Sequence, residues 1–375
     1  MNVLITGGAG FIGTHLTRHL LHLGHAVTVL DNFSPQIHAG KISLAADLMP
    51  HVKLIAGDVA DPTIVALALE GAESIIHLAA ETGTGQSMYE VSLYEHTNIA
   101  GTALLYELLT KASARKVERV VVASSRAIYG EGAYRCQHHG LVYPASRVST
   151  EKKSGIFDPF CPVCSGPCET APTPEAAPLQ PSSFYGLTKQ VQEQTVLLFG
   201  NVLNIPSFAL RYQNVFGPGQ SLHNPYTGIL AIFSNLARAG KPIQIFEDGQ
   251  ETRDFVYIED VVRATAACLS PSVLGCEAIN VGSNSRSSVL AVANEINAFF
   301  GNRSEILITG AFREGDIRHG MADLTKAGSF LGYRPQWSFS TGLEQFLNWA
   351  LENEIPRDQY KQSLAEMKAR GLLRD

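Results

Sequence analysis

The chain has 375 residues, 45% of them hydrophobic and 17% charged, with a formal net charge of −6. That length is too great for one small core and implies two domains or one large one with an appendage, and the composition excludes an intrinsically disordered chain. The acidic balance excludes a nucleic-acid binder, because no basic excess is available to neutralise a phosphate backbone.

From Met1 the chain runs directly into a strand pattern, and no apolar run approaches membrane-spanning length. A cytoplasmic protein with reduced thiols is expected, with no membrane partner. Strand patterns fall at "NVLIT" (2–6), "AVTVLD" (26–31), "KLIAG" (53–57), "SIIHLA" (74–79), "RVVVAS" (119–124) and "SFALRY" (207–212). Their nearly continuous β-branched character suits strands covered on both faces. Between the first two, Ile12, Leu16, Leu20 and Leu23 recur at helical spacing and Gly24 closes the helix, leaving His15, His19 and His22 on a solvated face. Alternating strands and helices predict an α/β fold: a Rossmann-type doubly wound parallel sheet with a smaller mixed α/β C-terminal domain for substrate. We expect residues 1–212 to form the first domain and 213–375 the second, with 254–282 returning to the first. Residues 132–183 break the rhythm as an insertion with little periodicity, which implies a functional or locally cross-linked loop. The tail "RDQYKQSLAEMKARGLLRD" reads as a surface helix, and Cys268 and Cys276 as buried small side chains.

"TGGAGFIG" (6–13) follows a strand and opens a helix. Its glycines permit a tight turn and close backbone approach to a pyrophosphate, and the helix N-terminus offers unpaired N–H groups. Asp31, at the end of the second strand, is placed to bind the adenosine ribose hydroxyls and to repel a 2′-phosphate, so NAD is favoured over NADP. The cofactor residues expected are Gly7, Gly10, Phe11, Ile12 and Gly13, then Asp31 and Asn32, then Asp58 and Val59 of "GDV". Leu78, Ala79 and Ala80 of "HLAA" follow, with Ser124, Tyr185 and Lys189.

"YGLTK" places Tyr185 and Lys189 one helical turn apart on a shared face. A phenol, with a reference pKa of about 10, is a poor base at neutral pH unless cations stabilise its phenolate, and Lys189 with an oxidised nicotinamide would do so. Ser125, in "SSRAIYG", would bond the same substrate hydroxyl. Arg253 and Arg313 come from different segments and would together clamp a diphosphate. The alternative for each is a surface ion pair, with Asp254 or Glu314.

These motifs, with "NIAGT" (98–102), "RYQNVFGPGQ" (211–220), "ETRDFVYIEDVV" (251–262) and "REGDIRHGMAD" (313–323), resemble the extended short-chain dehydrogenase/reductase family of nucleotide-sugar epimerases and dehydratases. The resemblance covers nearly the whole chain. It implies a catalytic set of Ser125, Tyr185 and Lys189, with Asn98 ordering the cofactor site. It further implies Ser125, Asn214, Arg253 and Arg313 as substrate-binding residues, Asp316 as a nucleoside contact, and a homodimer through the helices after Asn98 and Tyr185. The implied ligand is a dTDP- or UDP-linked sugar. A 4,6-dehydratase of this family needs an acid pair directly after the serine or threonine, where this chain has Arg126 and Ala127. A reductase would need exchangeable NADPH, against which Asp31 argues. A redox-neutral 4-epimerase remains, and the chain looks most like the branch acting on dTDP-L-rhamnose. UDP-glucose or UDP-glucuronate 4-epimerases are the alternative, and a non-catalytic NAD-sensing regulator would not require Tyr185 and Lys189. The small residues of "TGTG" (82–85) would leave room for a sugar to turn, or form a flexible loop.

Within the insertion, "CQHH" and "CPVC" give Cys136-x-x-His139 and Cys161-x-x-Cys164, a spacing that suits a structural zinc site, with Cys168 or His138 able to replace His139.

Overall fold

Seven parallel strands form the central sheet of the computed structural model, which describes residues 1–38, 40, 42–111, 116–224, 228–355 and 360–375. Of the stretches quoted above, 357–359 lie outside these residues. Across the sheet the order is Cys276–Val281, Ser207–Tyr212, Arg119–Ser125, Ser74–His77, Asn2–Thr6, Ala26–Asp31 and Val52–Ala56. All six strand patterns form strands, with the third ending at Ala56 and the fourth at His77, where the backbone turns out of the sheet. Both faces are covered, as the continuous apolar runs require. Val3, Ile5 and Val121 point into one core with Leu16, Leu20 and Phe208, and Leu4, Val120 and Val122 into the other with Leu105, Tyr106 and Val196. This is the two-residue alternation of a strand read on both sides.

Strand order reverses between Asn2–Thr6 and Ser74–His77, so the loops leaving these two strands open a crevice at their C-terminal ends. Buried His77 braces that point from below: its Nδ1 lies 2.7 Å from the Thr6 hydroxyl and its Nε2 3.0 Å from that of Thr102. Burial lowers its pKa to about 3, so the ring is neutral.

The first helix, Phe11–His22, ends sooner than the apolar spacing suggests, and Leu23 is exposed. His15 is not solvated as expected. Its Nε2 meets the Pro218 carbonyl at 2.8 Å and ties the helix to the loop after Asn214–Phe216. Cys268 is buried, whereas Cys276 opens the sheet's outer strand and is only half-buried. Beyond the sheet, short strand pairs build the C-terminal part, among them Ile243–Ile245 with Ile306–Ile308 and Asn214–Phe216 with Phe255–Tyr257. The rings of Phe216, Phe255, Tyr257, Trp337 and Phe339 pack beneath the latter pair. The tail is more than a surface helix. Tyr360–Ala369 buries Ser363 and Met367, and Leu373–Arg374 pairs with Phe312–Arg313.

The insertion is not structureless. Tyr134–Cys136 is the centre of a three-stranded antiparallel sheet flanked by Gly140–Val142 and Cys168–Thr170. Its apolar packing is thin: Tyr134, Cys136, Val142 and Cys161 form one small cluster, and Ala177 joins Ile128 and Tyr129 in another. Burial on that scale leaves most of the cost of ordering the segment to other interactions. Polar ties to the rest of the chain carry part of the difference. Buried Arg147 reaches Glu131, Glu247 and the carbonyls of Phe157 and Asp316. Arg318, also buried, pairs with Asp158, Glu247 and Asp248.

Candidate active site

One cavity of about 510 Å³ runs from the Gly7–Gly13 loop past Ser125, Tyr185 and Lys189 to Arg253, Arg313 and Asp316. The glycine loop is built for close approach. Gly7 has a φ of +67°, and a Cβ there would lie 2.7 Å from the Ala79 nitrogen. A Cβ on Gly13 would lie 2.5 Å from the Gly8 Cα. Gly10 caps the helix without a side-chain bond, which leaves the helix N-terminus open toward the cavity. Asp31 is buried; its Oδ2 accepts from the Ala9 N–H at 3.0 Å and its Oδ1 from the Phe33 N–H at 2.9 Å. The carboxylate therefore pins the loop while lining the cavity. This donor set and cradle fit a dinucleotide.

Phe11, Ile12, Asn32, Val59, Leu78, Ala79, Ala80 and Ser124 line the same wall. Asp58 and Asn98 stand behind it. Asp58 accepts from Asn32 Nδ2 at 3.3 Å and from the Ala60 N–H at 2.8 Å. Asn98 is fully buried; it exchanges two hydrogen bonds with the Glu81 backbone and donates to Thr188 Oγ1 at 2.9 Å. It thus joins the loop after the fourth strand to the helix that carries Tyr185. Ser124 donates to Glu193 at 2.5 Å, within a buried pair of Glu193 with Arg211.

Helix Phe184–Leu203 is capped by Ser183, and Gly186 lets it approach the turn after Ser125, since a Cβ there would meet the Ala127 carbonyl at 2.6 Å. The Tyr185 N–H donates to Ser87 Oγ at 2.9 Å. Within 82–85, Thr84 and Gly85 open a short helix, Thr84–Ser87, and the Tyr94 hydroxyl lies 2.7 Å from the Thr82 carbonyl and 3.0 Å from that of Gly83, sharing its one proton between them. Burial raises the Tyr185 pKa, against the downward pull of a hydrogen bond with Ser125 and the charge of Arg126. Lys189 lines the same cavity. Its ammonium donates to the Ala123 carbonyl at 2.7 Å and to Gln192 at 2.8 Å, and burial brings its pKa down to about 7.

At the far end, neither arginine makes the surface pair considered from the sequence. Arg253 donates to the backbone carbonyls of Thr252, Ile317 and Arg318, and Arg313 pairs with Asp316 at 2.7 Å. Sequence reasoning noted Arg126 only as a missing acid. It lines the cavity, and among the described residues its buried Nη1 has no partner. Burial and then Arg253 lower its pKa to about 10. Asn214 Oδ1, Gln220 Oε1 and Ser221 Oγ are likewise buried and unpaired on this wall. Unpaired buried donors and acceptors that converge on one cavity are what a polar ligand would satisfy. Tyr360 joins them from the tail, a contact no local motif announces.

The model of the "NAD dependent epimerase/dehydratase family" matches residues 3–149 and 163–282. The chain belongs to that family. It is 40% identical to a dTDP-L-rhamnose 4-epimerase of Burkholderia thailandensis over 95% of this chain and 96% of that protein. Identity to a UDP-glucose 4-epimerase of Mycolicibacterium smegmatis is 30%, over 92% and 96% of the two chains. Among solved structures, a Thermotoga maritima UDP-glucose 4-epimerase with UDP-glucose superposes with a TM-score of 0.77 at 29% identity, covering 94% of this chain and 99% of that one. A UDP-glucuronic acid 4-epimerase from Bacillus cereus, in complex with UDP-glucuronic acid and NAD, gives 0.75 at 26% identity over the same shares. The break in the family match, 150–162, falls inside the insertion.

Proposed function

We propose that this chain is an NAD-dependent 4-epimerase of nucleotide-diphosphate sugars that interconverts dTDP-L-rhamnose and dTDP-6-deoxy-L-talose through a 4-keto sugar. The observation that carries the reading is the single cavity joining the glycine loop, the Ser125–Tyr185–Lys189 set and three arginines, with Arg126 and Ala127 where a dehydratase would need acids. Bound NAD supplies a hydride acceptor and donor at sugar C4 and a positive charge in its oxidised form. Tyr185 takes the C4 hydroxyl proton and later returns it, helped by Ser125 and Arg126, which oppose the effect of burial on the phenol. Lys189 is fixed beneath by Ala123 and Gln192. Arg126, Arg253 and Arg313 hold the diphosphate, so the sugar can turn about a fixed anchor and be reduced on its other face. Binding energy placed on the diphosphate leaves the reacting ring free to move.

The dTDP-sugar is preferred to a UDP-sugar on the strength of the 40% identity to the Burkholderia enzyme. The test is to incubate the purified protein with dTDP-L-rhamnose, UDP-glucose and UDP-glucuronate and follow C4 configuration by NMR. Inversion of the dTDP-sugar is expected. Inversion of a UDP-sugar alone overturns the substrate, and accumulation of a 4-keto-6-deoxy product overturns the reaction.

A further inference from the structure

We propose that the insertion is a structural zinc site with Cys136, His139, Cys161 and Cys164 as its four ligands, and that the site fixes the far wall of the cavity. The four ligand atoms lie within 4.8 Å of one another. His139 Nδ1 stands 3.6 Å from both the Cys136 and Cys161 sulfurs, and the Cys136 and Cys164 sulfurs are 3.7 Å apart. A tetrahedral zinc with Zn–S of about 2.3 Å and Zn–N of about 2.0–2.1 Å requires S···N edges of about 3.5–3.6 Å and S···S edges of about 3.7–3.8 Å. All three observed edges agree. A disulfide would need about 2.05 Å, so the Cys136–Cys164 approach is not one.

Two turns present the ligands in pairs. Cys136 ends one strand and His139 precedes the next, with Gly140 at a φ of +68° closing the hairpin. Around the other pair, the Cys161 N–H donates to the Gly166 carbonyl and the Ser165 N–H to the Cys161 carbonyl, both at 2.9 Å, with Ser165 left-handed at +55°. Cys168, paired across the sheet with Cys136, and His138 fall outside the ligand set. Three soft thiolates and one imidazole select zinc, and four protein ligands leave no open position for chemistry. The thiols give up their protons as the ion binds. Two of the four residues in the insertion's small core are themselves ligands, so the metal holds together what apolar burial does not.

The clip reaches the cavity through its neighbours. Tyr134, two residues before Cys136, packs against the His319 ring, and Asp158, three before Cys161, bonds Arg318. Both partners follow closely on Asp316, whose carbonyl is held by Arg147.

The test is elemental analysis of the untagged full-length chain purified from zinc-replete medium, which needs no substrate. One zinc per chain is expected, retained in Cys168→Ser and His138→Ala and lost in His139→Ala and in Cys161→Ser/Cys164→Ser. As a control that needs no substitution, cobalt is exchanged into the wild-type protein. Tetrahedral visible bands with thiolate charge transfer are expected, and their absence refutes the ligand set, as does a zinc-free replete preparation or zinc loss in His138→Ala. Stripping zinc from the holoenzyme should raise KM for the nucleotide sugar by about ten-fold or more while NAD stays bound. An unchanged KM after complete zinc removal would refute the link to the wall.

Discussion

Replacing Arg126 by Met should make the ligand-free protein more stable and a poorer binder. Burial first and the charge of Arg253 second pull the pKa of the guanidinium down to about 10. At about 1.4 kcal/mol per tenfold, this is an unfavourable contribution of at most about 3 kcal/mol at neutral pH. Its sign follows from the lowered value: the cost is complete below about pH 10 and is relieved only as pH rises toward the unfolded pKa. Methionine keeps the apolar stem and removes the charge, so about 1–3 kcal/mol of stability should return, as when buried ions yield to apolar side chains of similar size. In the complex the sign reverses. A charge-assisted bond of about 1.5–3 kcal/mol is lost, which weakens thymidine diphosphate binding about 10- to 150-fold. Urea denaturation of ligand-free wild type and Arg126→Met measures the first quantity and titration calorimetry with thymidine diphosphate the second. A less stable variant, or one of unchanged affinity, refutes the reasoning.

Tyr185→Phe should cut turnover by about 10²–10⁴-fold with bound NAD retained; a variant keeping more than about a tenth of wild-type activity would remove Tyr185 from its role. Lys189, lowered to about 7 by burial, binds a proton more readily unfolded than folded between that value and 10.5. The cofactor-stripped protein should therefore gain up to about 2 kcal/mol between pH 7 and 8.5 relative to Lys189→Met, and equal slopes in paired urea titrations would contradict the assignment. A homodimer through the helix of Tyr185 would cover the exposed Leu187, Leu198 and Val202, so Leu198→Glu should yield a monomer by light scattering. A wild-type monomer at micromolar concentration refutes that assembly.

Much of this was legible along the chain because it is local. A strand buried on both faces leaves a continuous apolar run, which is how "RVVVAS" announced a strand whose seven residues are all buried. The glycine loop, the tyrosine and lysine one turn apart, and the Cys–His and Cys–Cys pairs are likewise short-range patterns whose spacing carries the geometry. What stayed hidden is long-range. Spacing could not show that Arg253 gives its donors to the backbone carbonyls of Ile317 and Arg318, or that Tyr360 reaches the cavity from the tail. The buried network of Glu131, Arg147, Glu247 and Arg318 joins residues up to 187 positions apart, and no local signal encodes it. The insertion looked structureless because its strands are only three residues long, too short for a period to show.

The partners of the three arginines also order their roles. Arg253 and Arg313 already have acceptors within the protein, so a diphosphate must compete for them, whereas Arg126 keeps a buried nitrogen unpaired. Arg126 follows Ser125 directly in the chain; its charge lowers the pKa of Tyr185 on one side, while Asp316 raises that of Arg126 itself from the other. On the proposed reading, the diphosphate anchor and the proton-transfer group would therefore be electrostatically joined through one side chain. An acid at position 126 would oppose both, repelling the diphosphate and pushing the phenol's pKa further up. On the proposed reading, the residue that stands where a dehydratase would carry an acid is thus the one that would supply a cation to an anchored, pivoting sugar.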